Sequence, residues 1–99
     1  MNPGQHFTEA EVARLMAALG IRGPADRVLD PACGDGALLR AAARFTSRLT
    51  GVERDAVLAA RATQAAPTAR VFVGDFLAMS DSPQADVVLA NPPYIRHEL

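Results

Sequence analysis

Four short segments with apolar centres punctuate the chain, at residues 27–30, 49–53, 70–73 and 86–90. Each ends in, or is soon followed by, a polar residue able to do chemistry: Asp30, Glu53, Asp75 and Asn91. The first three runs are separated by alanine-rich stretches. Short runs of this length suit buried strands, and the stretches between them suit helices. Strands joined through helices pair in parallel, because a parallel neighbour needs a long crossover that a hairpin turn cannot supply. The pattern therefore predicts an α/β fold, a doubly wound parallel sheet limited to four strands. In such sheets ligands bind outside the carboxyl ends of the strands, where the acids and the amide stand.

The helices have readable boundaries. Thr8-Glu9-Ala10-Glu11 has the wording of a capping box. Val12, Leu15, Met16 and Leu19 follow at i, i+3, i+4 and i+7, which predicts that they form the buried face of a first helix stopped near Gly20. A second helix is expected over 37–44, with Leu38, Ala41 and Phe45 on one face. Asp55 is placed to cap a third, running to about residue 66 before Pro67. Pro92 and Pro93 end the fourth strand, since proline cannot continue a ladder.

Candidate chemistry gathers at the strand ends. In Asp30-Pro31-Ala32-Cys33-Gly34-Asp35-Gly36, two glycines allow a tight turn and a close approach of backbone to ligand. A dinucleotide fingerprint would want a third glycine where Leu39 stands, which counts against a nicotinamide cofactor. Glu53 ends the next strand, where an acid can accept both hydroxyls of a ribose; a solvated strand-end charge is the plainer reading. Asp75 could accept from the exocyclic amine of an adenine that Phe76 covers, although a simple turn with Phe76 in the core fits equally.

The most specific element is Asn91-Pro92-Pro93-Tyr94. An aromatic amino group is a poor nucleophile because its lone pair is delocalised into the ring. Acceptors on both N–H bonds, the Asn91 side-chain oxygen and the Pro92 carbonyl, favour a pyramidal nitrogen with a localised pair. The prolines stiffen the backbone that carries them. Tyr94 offers a ring on which an extruded base can stack.

Composition narrows the class. Ten arginines and no lysine face eleven acids, for a net charge of -1. A self-sufficient DNA binder is usually basic, because phosphate neutralisation supplies most non-specific affinity. The sequence has no arginine cluster, so a grip on DNA is expected from another segment or a second chain. Cys33 stands alone and can close no intrachain disulfide, which together with the lack of a signal-like start predicts a cytoplasmic location. No apolar run approaches membrane-spanning length. His6, His97 and Cys33 have no partners at metal-ligand spacing, so no metal is expected.

Taken together these segments resemble the class I S-adenosylmethionine-dependent methyltransferases. Within them the chain is most similar to the N6-adenine DNA methyltransferases of fused restriction-modification type. The resemblance implies a Rossmann-like methyltransferase fold with S-adenosylmethionine as cofactor. Phe7 and Thr8 would line its methionine end. Asp30, Ala32, Cys33 and Gly34 would form the glycine-rich loop, and Glu53 would hold the ribose. Arg54, through its stem, would pack on the adenine together with Asp75 and Phe76. Asn91, Pro92, Pro93 and Tyr94 would form the catalytic tetrapeptide, with Asn91 also reaching the cofactor. Glu9 replaces the family's usual proline, and Arg54 its usual aliphatic residue. Residues 1–99 would be the N-terminal part of such a domain, lacking the remaining strands and a DNA-recognition domain. The isolated chain is accordingly expected not to methylate DNA and to be oligomeric, aggregated or marginally folded. A protein glutamine methyltransferase, a structured-RNA enzyme and a non-catalytic cofactor-binding fragment remain alternatives.

Overall fold

The computed structural model describes residues 7–91. In chain order the elements are α1 (Glu9–Gly20), β1 (Val28–Asp30), α2 (Ala37–Ala42), β2 (Leu49–Glu53), α3 (Ala56–Ala65), β3 (Arg70–Val73), a 3-10 turn (Phe76–Ala78) and β4 (Val87–Val88). Thr8 caps α1, its hydroxyl accepting from the Glu11 amide at 3.1 Å, and the acids of the first turn suit the positive end of the helix. The Asp55 carboxylate caps α3 through the amides of Val57 and Leu58 at 2.8 and 3.1 Å.

The strands form one parallel sheet in the order β3-β2-β1-β4. Val28, Leu49 and Leu89 join Ala13, Ala17, Leu38, Leu39 and Ala62 in a single core between the sheet and its helices. Leu29 and Val52 alternate to the opposite face and are buried as well. The β3–β4 connection, residues 74–86, returns the chain from one side of the sheet to the other. No α-helix is assigned in this connection, only the 3-10 turn.

The buried side of α1 differs from the expected one. Ala13 and Ala17 are buried, whereas Leu15 and Leu19 are exposed. Helix α1 packs against α2, and small side chains let the two axes approach, so tertiary packing overrides the position of the largest apolar residues. Helix α2 is shorter than expected, and Phe45 is left in the exposed turn after it. Strand β4 is reduced to two residues, though the Leu89 amide still donates to the Leu29 carbonyl at 2.9 Å. Val88 is 59% exposed while Leu89 is buried. The two point to opposite faces of the sheet, and Gly20, where a Cβ would come within 2.7 Å of Leu89 Cδ2, leaves Leu89 its space under α1.

One pair clamps the start of β4 to β1. Arg27 donates through Nε and Nη2 to the two Asp86 oxygens, both at 3.1 Å, and its amide also reaches Asp86 at 2.8 Å. This bidentate geometry holds the Asp86 carboxyl down at about 2. Arginines that stand apart in sequence are brought together by the fold. Arg14 of α1, Arg40 of α2 and Arg44 just beyond α2 line one groove between the two helices, because residues far apart in sequence meet where the helices pack.

Candidate functional site

Two adjoining clefts lie at the carboxyl ends of the strands and share Ala32 and Glu53. The larger, about 460 Å³, is lined by Asp30, Ala32, Cys33, Gly34, Glu53 and Asn91 among others. Residues 61 positions apart in sequence, Asp30 and Asn91 (91 − 30), reach the same cleft because β4 pairs directly with β1.

The loop after β1 owes its shape to three glycines. Gly34 and Gly36 have φ values of 56° and 94°, in a region that side-chain-bearing residues avoid. A Cβ on Gly36 would meet the Ala62 backbone at 2.7 Å, so this glycine also lets α3 approach. A Cβ on Gly51 would collide with Leu39 and Cys33 at 2.7 and 2.9 Å. At Gly34 the position of a Cβ is open space. The loop is further tied down by the Cys33 amide, which donates to the Val52 carbonyl at 2.9 Å.

Glu53 joins the loop to the start of α3. Its Oε1 accepts from the Gly34 amide at 2.9 Å and its Oε2 from the Asp55 amide at 2.7 Å. A carboxylate has about four lone-pair positions, so two remain for a ligand. Asp30 is buried, with one oxygen accepting from the Ala32 amide at 3.2 Å. Burial pushes its carboxyl up to about 6; the Ala32 hydrogen bond opposes the rise, and the Glu53 charge adds to it. The Cys33 thiol is pushed up to about 12, chiefly by burial and then by the Asp30 and Glu53 charges. It is a packing group in the loop, with no thiolate available at neutral pH.

The second cleft, about 430 Å³, is lined by Arg54, Asp75, Phe76 and Leu77 as well as the shared residues. The Asp75 carboxylate caps the 3-10 turn through the Leu77 amide at 3.0 Å. Phe76 is half-buried and faces the cleft instead of filling the core.

Phe7 and Thr8 do not line either cleft among the described residues. Phe7 is about half exposed, and the Thr8 hydroxyl is engaged in the α1 cap. Pro92, Pro93 and Tyr94 lie outside the described residues. Glu9, Asp35, Leu58 and Leu77 line the clefts without having been singled out from sequence. Asp35 had a local signal, since it lies inside the glycine turn. The other three depend on how α1, α3 and the 3-10 turn dock. No metal-binding group of acids, His and Cys occurs among the described residues, and no helix there is long and apolar enough to cross a membrane.

Comparison with known proteins agrees with this architecture. The chain is 38% identical to a type II methyltransferase of Thermus thermophilus over 94 residues, covering 92% of the chain and 21% of that protein. It is 33% identical to the methylase subunit of a type I restriction enzyme of Methanocaldococcus jannaschii, covering 92% of the chain and 20% of the relative. The chain thus spans about a fifth of the length of these relatives. Among solved structures, a TehB-like SAM-dependent methyltransferase of Corynebacterium glutamicum superposes with a TM-score of 0.66 at 26% identity, over 90% of this chain and 47% of that one. The profile of the family described as methyltransferase domain matches residues 28–98, which run from the first residue of β1 through both clefts. The fold is the Rossmann-like methyltransferase fold, and the chain belongs to the methyltransferase-domain family.

Proposed function

We propose that this chain is the front part of a DNA methyltransferase domain that uses S-adenosylmethionine to methylate the exocyclic N6 amine of an adenine taken out of the helix. The observation that carries this reading is the convergence of Asp30, Gly34, Glu53 and Asn91 on one cleft. The names of the relatives, restriction-modification methyltransferases, favour DNA as the substrate.

The residues present suit the cofactor. Glu53 keeps two lone-pair positions for a ribose diol while its other two hold the loop in place. Open space at Gly34 leaves room for a ligand against the backbone. Asp30 and Glu53 give the cleft a negative potential that favours the ammonium and sulfonium charges. Arg54, Asp75 and Phe76 in the neighbouring cleft would take the adenine, and Ala32 and Cys33 would complete the wall between. Phe7 and Thr8 would approach the methionine end. When bound, the cofactor supplies a methyl carbon on a positively charged sulfur. Asn91 would accept from the target amine and localise its lone pair, with Pro92 providing a second acceptor, Pro93 rigidity and Tyr94 a stacking face.

Two substitutions in the protein that carries this chain separate the roles. Glu53→Gln should weaken S-adenosylmethionine binding by about 1.5–3 kcal/mol, the range for hydrogen bonds to a charged group. Asn91→Ala should leave cofactor affinity nearly unchanged and lower methyl transfer to duplex DNA by about 10²-fold or more. Calorimetry and a tritiated-methyl assay give the two readouts. An Asn91→Ala protein that methylates at near the original rate would overturn the catalytic assignment.

A further inference from the structure

Arg14, Arg40 and Arg44 line a groove of about 390 Å³ between α1 and α2, whose remaining lining residues are Ala10, Ala37 and Ala41. All three arginines are exposed. Among the described residues none of them is in an ion pair; the arginines that are paired are Arg22 and Arg27. The groove adjoins the larger cleft, with Ala37 lining both and α1 contributing Glu9 and Ala13 to one, Ala10 and Arg14 to the other. The acid nearest in sequence to Arg14 is Glu11, one turn before it on α1; Glu9 and Asp35 line the cleft. The larger cleft is lined by four acids, Glu9, Asp30, Asp35 and Glu53, and by no arginine, whereas the groove beside it is lined by three arginines and no acid.

We propose that this seam binds the phosphate backbone of a nucleic acid. Alanine methyls between the arginines leave room for a strand to lie close to the guanidiniums, whose planar forks match phosphate oxygens. Three arginines along one groove offer a row of contacts, which a linear polyanion can engage together. Such contacts hold and orient the nucleic acid without reading its sequence, and the groove's continuity with the cleft lets a bound strand extend toward the reacting base. The inference rests on the reading of DNA as the substrate.

The test compares the protein carrying this chain with its Arg14→Gln/Arg40→Gln/Arg44→Gln variant. Binding of a fluorescein-labelled duplex is followed by anisotropy as salt is varied. Each lost phosphate contact flattens the slope of log K against log salt by about 0.9, so three should flatten it by about 2.7. Between about 50 and 200 mM salt the original protein should therefore lose about 40-fold more affinity than the variant. The triple lysine variant should recover the steep slope, and S-adenosylmethionine affinity should be the same in all three. A glutamine variant that binds DNA with the original slope overturns the seam and leaves the DNA reading intact. If the original protein binds no duplex at any salt, both readings fall. If a polyglutamate peptide displaces the DNA at equal charge concentration, the seam is a protein-docking site and the proposal fails.

Discussion

Val52 and Val88 are the same residue on strands of the same sheet, and on the same face by register. Val52 is fully buried and Val88 is 59% exposed. The same contrast runs through the whole sheet. Every strand residue of the central pair β1 and β2 is buried or half-buried, while β3 exposes Phe72 and Val73 and β4 exposes Val88. The site follows the same division. The loop after β1 is held by amides, glycines and the Glu53 carboxylate, whereas the strand-end residues of β3 and β4, Asp75 and Asn91, are exposed. Apolar character in a strand therefore reports that a strand forms; how deeply it lies depends on its neighbours.

The contrast can be tested most severely at glycine. Gly36→Ala places a Cβ against the Ala62 backbone at a φ of 94°. It should cost about 2–5 kcal/mol from left-handed strain plus overpacking. Gly74→Ala, at the end of β3, meets nothing within 4 Å and should change stability by less than about 0.5 kcal/mol. Urea melts of the two variants decide; equal losses would remove the distinction between centre and edge.

A second separation uses pH, because the two regions respond with opposite sign. The Asp30 carboxyl is raised from 3.8 to about 6 in the folded chain. The folded state therefore binds the proton more tightly, and stability should fall as pH rises between about 4 and 6. The shift corresponds to at most about 3 kcal/mol. Asp30→Asn, which retains an acceptor for the Ala32 amide, should remove this fall, raise the melting temperature at pH 8 and weaken cofactor binding. At the edge, Asp86 is lowered to about 2 by Arg27, so its contribution is present above about pH 4 and is lost as pH falls toward 2. Thermal melts across pH 2–8 should show both limbs. A flat profile from pH 4 to 6 that Asp30→Asn leaves unchanged would refute the central half.

Smaller differences sharpen the picture. In the 99-residue chain, Val52→Ala should cost about 2 kcal/mol, as for a buried valine losing two methyl groups, and Val88→Ala less than about 0.5 kcal/mol. The smallest effect is expected from Asp86→Asn near neutral pH, since the ion pair is exposed to solvent; a slightly lower melting temperature with β4 amides exchanging faster, read by hydrogen exchange, is the expected outcome.

The sequence by itself determined the strand–helix alternation, the Thr8 and Asp55 caps, the glycine turn at residues 34–36 and the strands 49–53 and 70–73. These are local matters, decided by side-chain period, by a cap reaching its own next turn and by the backbone freedom of glycine. It also marked Asp30, Glu53 and Asn91, because a polar residue at the end of an apolar run has a defined place in a parallel sheet. Only the tertiary structure decided the rest. Which face of α1 is buried depended on how closely Ala13 and Ala17 allow α2 to approach, and the burial of Leu89 depended on Gly20, 69 positions earlier (89 − 20). Glu53 became a structural tie as well as a ligand candidate once the Gly34 amide was brought within 2.9 Å of it. The arginine seam exists only because two helices distant in sequence lie side by side. Period and capping act over a few residues, whereas burial and charge clustering depend on every segment that packs nearby.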